Sequence, residues 1–474
     1  MARTNVRSKC TLTTHEGAPA KRINAEQQLR RSVMACMLYE SEFYEDGESI
    51  AARIAAMIQN VKPETVAALA IEAREKMKLR HVPLLLVREM ARLPSHKYLV
   101  AETLERVIQR ADELSEFVAL YMKDKRQPLS AQVKRGLAAA FKKFKQYDLA
   151  KYDRPDAAIK LRDVLFLSHA KPAATPGITN VRYSDAINKP HYRRGMTLRH
   201  IEGQGATWKQ LIDGTLPIPD TWETALSSGA DKRETWERLL KEHKIGALAT
   251  LRNLRNMREA KVTLDIIRAH LATVLVDRVL PFRFIAAARY VPELEPELEQ
   301  AMFRCVAGLP RLPGKTALQV DVSGSMDAPI SAKSEMRRMD AACGLAVLAR
   351  ELCEQVDVFS FSDHTVHIPA RRGFALRDAI VSSQESGGTF LGRAVTAIND
   401  NPRNDYDRLI VFTDEQCHDP VPNPQPPMRG YIVNVASAQN GVGYGAWTHL
   451  DGFSEAVLDY IREIETTEEA HSRL

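Results

Sequence analysis

A chain of 474 residues is too long for one hydrophobic core, so at least two domains are expected. With 45% hydrophobic and 27% charged residues the composition is ordinary for a soluble globular protein, and no apolar run approaches the ~18 residues a helix needs to span a bilayer. The net charge of +6 joins two unlike parts: from Lys315 onward 14 Lys and Arg meet 23 Asp and Glu, a net of −9, whereas the first 314 residues carry +15. A basic larger part suits a polyanion, although a solvated helix surface with a Lys/Arg bias gives the same count.

Residues 1–25 read as a polar N-terminal segment without the apolar core of a secretory signal. The six cysteines are scattered, with no C-x-x-C pair, so neither a zinc site nor a disulfide framework is indicated and a reducing, cytoplasmic setting is expected. From Glu26 to about Cys305 apolar residues recur three and four apart, which predicts helices almost throughout. These are Ile50–Ile58, Glu64–Met77, Val82–Arg92, Ala101–Tyr121, Ser130–Tyr147 and Ile159–Ser168. After a Pro/Gly-rich break around 170–194 come Thr221–Leu226, Trp236–His243, Ile245–Asn256, Leu264–Val276, Phe282–Tyr290 and Pro296–Val306. Many short helices joined by short loops read as a HEAT-like α-helical solenoid, with an irregular helical bundle as the alternative.

Leu309-Pro310-Arg311-Leu312-Pro313-Gly314 stops the helices. Strands are then predicted at Ala317–Val322, Val356–Phe361, Thr365–Ile368, Arg408–Thr413 and Tyr431–Val435. Helices are predicted at Ser334–Cys353, Leu391–Ile398 and Ser454–Ile464. Alternating β and α with apolar strands predicts an α/β, doubly wound, Rossmann-like parallel sheet.

The first of these strands runs into Asp321-Val322-Ser323-Gly324-Ser325, a carboxylate and two hydroxyls in five residues. Gly387-Gly388-Thr389 and the strand end Thr413-Asp414 follow in the same order. Such hard oxygen donors suit Mg²⁺, and ligands of open α/β sheets gather at the carboxyl ends of strands. Asp-x-Ser alone is as easily a helix cap or strand-end turn. The full set resembles the von Willebrand factor A domain with its metal-ion-dependent adhesion site, over residues 315–474. Matched residue by residue, the resemblance implies Asp321, Ser323, Ser325, Thr389 and Asp414 as the ligands of a divalent cation, Mg²⁺.

Several stretches of the helical part resemble the TROVE module of the Ro autoantigen family. They include Arg30-Arg31-Ser32-Val33-Met34, Lys78-Leu79-Arg80-His81-Val82-Pro83, Asp163-Val164-Leu165-Phe166-Leu167-Ser168-His169-Ala170-Lys171-Pro172 and Leu251-Arg252-Asn253-Leu254-Arg255-Asn256-Met257. The likeness covers most of residues 13–310, with the helical domain itself set at 26–310, and a helical module followed by an A domain is the family's order. It implies a ring of helical repeats closed by the A domain, hence a monomer. Its implied ligands are small structured non-coding RNA of the Y type and the single-stranded 3′ ends of misfolded RNA. It further implies a place in RNA quality control, with a 3′ exonuclease or another protein as partner.

Phosphate binding falls to basic side chains. Lys134, Arg135, Lys142, Lys143 and Lys145 are expected on one amphipathic helix, residues 135, 142 and 145 sharing a face. Arg162, His169 and Lys171 follow on the next element, where a histidine can stack on a base or simply be a hydrogen-bonded structural residue. Arg193 and Arg194, interleaved with Tyr183 and Tyr192, suit a single strand or a solvated loop. Arg252, Arg255 and Arg258 either face RNA or pair with acids. No Gly-x-Ser-x-Gly, Cys–His pairing or Walker loop stands in a supporting context, so a non-enzymatic RNA-binding scaffold is expected. A protein-interaction scaffold and, further off, a metal-dependent nuclease or phosphatase centred on Asp321 are the alternatives.

Overall fold

A computed structural model describes residues 12–13, 17–20, 25–34, 47–77, 79–123, 128–154, 156–172, 204–219, 221–227, 231–276, 279, 282–329, 336–401, 405–436, 441–443, 445–451, 457–458, 461–462 and 464–465. They form two compact units, residues 55–227 and residues 1–54 together with 228–474. Among the described residues no helix is long and apolar enough to cross a membrane.

In the unit of residues 55–227, helices Pro63–Glu75, His81–Arg92, Val100–Val107, Ala111–Met122, Ala131–Phe141, Gln146–Tyr152 and Leu161–Ser168 follow in turn, with Gln204–Asp213 and Trp222–Ser227 after them. Each long helix packs on the one two places along, 63–75 on 100–107, 100–107 on 131–141, and 131–141 on 161–168, as in a HEAT-like solenoid. Gly136 permits the closest of these approaches, since a Cβ there would lie 2.8 Å from the Ala101 carbonyl oxygen and 2.9 Å from the Leu104 Cβ.

Two long helices predicted from periodicity are each broken in two. Ala101–Tyr121 divides at Ile108–Arg110, where the fully buried Glu113 carboxylate accepts the backbone N–H groups of Gln109 (2.8 Å) and Arg110 (3.0 Å) and pairs with Arg74 at 2.5 Å. Ser130–Tyr147 divides at Lys142–Lys145, because Asp148 accepts the Lys145 N–H at 3.0 Å and restarts the chain as a new helix. Apolar periodicity survives both breaks, which is why it concealed them.

The other unit carries helices Lys232–Lys241, Ala247–Glu259, Leu264–Thr273, Phe282–Ala288 and Glu295–Val306, then a six-stranded sheet. Numbering the two-residue ladder Leu12–Thr13 and Pro19–Ala20 as β1 and β2, the sheet strands are β3 (Leu312–Asp321), β4 (Cys353–Phe361), β5 (Thr365–Ile368), β6 (Arg408–Thr413), β7 (Arg429–Asn434) and β8 (Trp447–Asp451). Their order is β5-β4-β3-β6-β7-β8. All neighbours are parallel except the edge strand β5, antiparallel to β4, so the sheet is mixed rather than wholly parallel. The chain moves from β3 to β4 on one side and crosses back to β6 on the other, a switch point at the carboxyl ends of β3 and β6.

Pro313 and Gly314 lie inside β3, which begins at Leu312 with an irregularity before Lys315. The helix Gly373–Val381 and the strand β8 were not predicted: Arg371-Arg372-Gly373 and the glycines before Trp447 resemble loop sequence. The predicted helix Ser454–Ile464 falls largely outside the described residues.

Helical stacking does not stop where the sheet starts. Phe282–Ala288 packs on the sheet-flanking helix Arg338–Leu352, and Glu295–Val306 packs on both Arg338–Leu352 and Gly373–Val381. Arg289 pairs with Asp340 at 2.6 Å, Arg377 with Glu295 at 2.8 Å, and Glu299 accepts the Phe374 N–H at 2.7 Å. Held between sheet and repeats, Arg338–Leu352 is buried at every residue but Arg350. At the amino end of the interior strand β6, Arg408 and Glu465, both nearly solvent-free, form a two-point ion pair at 2.8 and 2.7 Å, and Tyr431 Oη donates to the same carboxylate at 2.9 Å.

Candidate metal centre and nucleic-acid interface

Strand β3 delivers Asp321 to the switch point, fully buried. One carboxylate oxygen accepts the Ser323 N–H at 2.9 Å and the other accepts Thr413 Oγ1–H at 2.6 Å. Ser323 Oγ and Ser325 Oγ lie 3.3 Å apart at the start of a short 3-10 turn, Gly324–Asp327. The Gly324 N–H donates to the Gly387 carbonyl at 3.1 Å, bringing the Gly387-Gly388-Thr389 loop against the Asp321 loop. Asp414, also fully buried, follows β6. The three segments singled out in the sequence thus lie on adjoining loops.

Sequence reasoning missed Arg338. Its guanidinium is fully buried, with Nη1 3.3 Å from Asp414 Oδ2. An arginine in the run Met336-Arg337-Arg338-Met339 gave no sign of it, because only the fold turns the first residue of that helix toward the sheet. Glu415 was missed too. It has φ +61°, a left-handed conformation, and its carboxylate takes up Asn434 Nδ2 at 3.3 Å, the Gly443 N–H at 3.2 Å and His449 Nδ1 at 2.7 Å. It ties the ends of β6, β7 and β8 together beneath Asp414.

Charge decides what the centre suits. Two buried carboxylates face one guanidinium, so negative charge is in excess. Burial first, and Asp414 second, push the Asp321 carboxyl up to about 7, against hydrogen bonds from Ser323 and Thr413 that favour ionisation. A small dication would remove that excess, and carboxylate and hydroxyl oxygens are the donors Mg²⁺ takes. Among the described residues no group of three or more His, Cys, Asp or Glu could hold a metal ion, so a site here depends on the hydroxyls of Ser323, Ser325 and Thr389.

The basic residues separate into different roles. The helix Leu161–Ser168 ends on His169, whose left-handed φ of 53° closes the helix as its C-cap. Lys134 Nζ lies 3.4 Å from His169 Nε2. Arg135, His169 and Lys171 are exposed and Lys134 half-buried, with Arg135 and Lys171 next to the Lys134–His169 pair in the chain. The shared face expected for residues 135, 142 and 145 does not exist: Lys142 caps one helix and Lys145 starts the next. Lys143 is committed elsewhere, its ammonium donating to the carbonyls of Glu105 and Ile108, the latter at 2.5 Å, and burial lowers its pKa. Arg162 sits at the opposite end of its helix, 4.0 Å from Asp163.

Arg255 pairs with Glu259 at 3.2 Å and Arg258 with Glu293 at 3.2 Å, leaning to the acid-pairing alternative, while Arg252 is exposed. Asn253 Nδ2 donates to the Ala249 carbonyl at 2.8 Å. Arg193 and Arg194 lie outside the described residues.

Stacked helix pairs running into a sheet with three oxygen-bearing loops at its switch point define a helical-repeat protein with an A-type domain. The TROVE domain family matches residues 202–342 and the Ro60 vWA domain family matches residues 315–436. The crystal structure of the Ro (RSR) protein of Deinococcus radiodurans shares the fold, with a TM-score of 0.57 at 16% identity, covering 91% of this chain and 97% of that one. Telomerase protein component 1 of Mus musculus is 22% identical over 308 residues, 52% of this chain and 12% of that protein, so the chain spans only a small part of that relative's length. The chain thus matches both domain families, the TROVE domain first and the Ro60 vWA domain after it.

Proposed function

We propose that this protein is an RNA-binding scaffold of a ribonucleoprotein, taking small structured non-coding RNA and single-stranded RNA ends on its basic helical part, without catalysing a reaction itself. The observation that carries this reading is half-buried Lys134 beside His169, with exposed Arg135 and Lys171 next to them in the chain, within a part of the chain whose net charge is +15. Such a group offers phosphates several cations and a base one aromatic face. The TROVE match supports the same reading. In the acidic A domain, Asp321, Ser323, Ser325, Thr389 and Asp414 hold Mg²⁺, which supplies an electrophilic point for a carboxylate or phosphate of a protein partner, a 3′ exonuclease among the candidates. The excess of buried negative charge supports that assignment. The protein works as a cytoplasmic monomer in RNA quality control.

The test is direct. Purified protein is titrated with a small hairpin RNA and a single-stranded oligonucleotide at low ionic strength, and RNA crosslinked to it in its native cell is sequenced. Tight, salt-sensitive binding and recovery of small non-coding RNA are expected. A protein that ignores every RNA offered at low salt would instead be a scaffold for proteins, with the cation centre as its one ligand site.

A further inference from the structure

Of the five residues assigned to the cation, Thr389 has the least rigid support in the sequence, two glycines immediately before it. Both glycines are needed for packing: a Cβ on Gly387 would lie 2.1 Å from Asp363 Oδ2, and one on Gly388 would lie 2.8 Å from Phe390 Cε2. Something other than local stiffness must therefore fix the loop. On one side Ser362 Oγ accepts the Gly387 N–H at 2.8 Å and Asp363 Oδ1 accepts the Gly388 N–H at 2.9 Å. On the other side Thr389 itself is held by His418, while the next residue, Asp419, accepts the Gly392 and Arg393 N–H groups at 2.9 and 2.8 Å.

His418 grips Thr389 twice. Its backbone N–H donates to the Thr389 carbonyl at 2.8 Å, and its ring Nδ1 accepts the Thr389 N–H at 3.0 Å. A backbone N–H can only donate, so Nδ1 carries no proton and the ring proton sits on Nε2. The ring is held flat against Phe390, centroids 5.3 Å apart and 27° between planes, and the Arg393 guanidinium lies 4.2 Å from the Phe390 centroid. His418 stands four residues after Asp414 on the loop that leaves β6. It thereby fastens the Thr389 loop to the Asp414 loop, the two ligand-bearing loops that come from distant parts of the chain.

We infer that His418 is a positioning residue of the cation centre: its Nδ1 fixes Thr389 against Asp414 and so sets the cation's affinity. This inference rests on the proposed assignment of the cation to Asp321, Ser323, Ser325, Thr389 and Asp414. His418 touches no metal and transfers no proton here. Its part is the acceptor atom and the flat ring that keeps that atom in place. Partners of this kind that orient a ligand typically contribute about 10- to 100-fold in metal affinity.

The experiment uses the full chain and reads Mn²⁺ by electron paramagnetic resonance and Mg²⁺ by calorimetry, with thermal unfolding in chelator alongside. The variants are His418→Asn, whose amide oxygen takes the place of Nδ1, His418→Gln, whose amide reaches the place of Nε2 instead, and Asp321→Ala. His418→Asn is expected to keep the wild-type affinity and His418→Gln to lose about 10- to 100-fold at an unchanged melting temperature. Equal affinity for Asn and Gln variants overturns the inference while leaving the cation assignment standing. A wild-type protein that binds no more cation than Asp321→Ala overturns the assignment, and the role of His418 falls with it. Comparing the Asn and Gln variants answers the question even if His418→Ala does not fold.

Discussion

Lys143 and its neighbours give the sharpest separation between a cation that serves RNA and one that serves the fold. The perturbation is a triple variant, Lys134→Ala/Arg135→Ala/Lys171→Ala, compared with Lys143→Met. In the triple variant three cations near His169 are removed, and among the described residues none of the three forms a salt bridge with an acid. Each phosphate contact contributes about 0.7 to 0.9 to the slope of log affinity against log salt, so three contacts are worth roughly 2 to 3. Between 50 and 200 mM salt the wild type should accordingly lose about 20- to 40-fold more affinity than the triple variant. Lys143→Met removes a charge of the same sign, yet that ammonium donates to the Glu105 and Ile108 carbonyls. Its loss should cost about 1–3 kcal/mol of stability and leave the salt slope alone. The assay is fluorescence anisotropy of a labelled RNA across a salt series, with urea unfolding of each variant. An unchanged slope in the triple variant, or an equal drop in Lys143→Met, refutes the division.

Other expectations are as direct. Glu465→Ala strands the buried Arg408 guanidinium and should cost about 3–5 kcal/mol in urea unfolding, whereas Arg408→Met/Glu465→Leu should come close to wild type; equal damage from both would mean the charge pair is not the source. His270, buried between the Thr250 hydroxyl and the Leu240 carbonyl, has its pKa lowered by burial. The unfolded chain takes up that proton first, so stability should fall as pH drops below about 6.5, and His270→Gln should flatten the fall measured by thermal unfolding. Asp321→Ala should abolish Mg²⁺ binding in calorimetry with RNA affinity intact, and a collapse of both would join the two functions in one site.

Much of the proposed cation centre was legible in the sequence because its oxygen-bearing residues are contiguous or end strands: Asp321, Ser323 and Ser325 in five residues, Asp414 at the close of an apolar strand. Five of the six sheet strands were legible as short runs rich in apolar or β-branched residues, and β8 was not. Arg338, Glu415 and His418 were not. Their roles come from approaches between distant segments, Arg338 with Asp414, Glu415 with His449, and His418 with Thr389, and periodicity carries no information about those. The basic patch was half legible. Counting Lys and Arg found the polarity, but the break at Lys142–Lys145 turned a supposed single face into two helix ends, and Lys143 is engaged by the Glu105 and Ile108 carbonyls.

The stacking of Phe282–Ala288 and Glu295–Val306 onto the helices beside the sheet has a mechanical meaning. Arg289 holds Asp340 in the first turn of the helix whose opening residue, Arg338, meets Asp414. Torque applied to the last repeats is carried through that clasp to the guanidinium, two residues away. Arg338–Leu352 is thus a single rigid element that joins the adjoining repeats to the Asp414 loop.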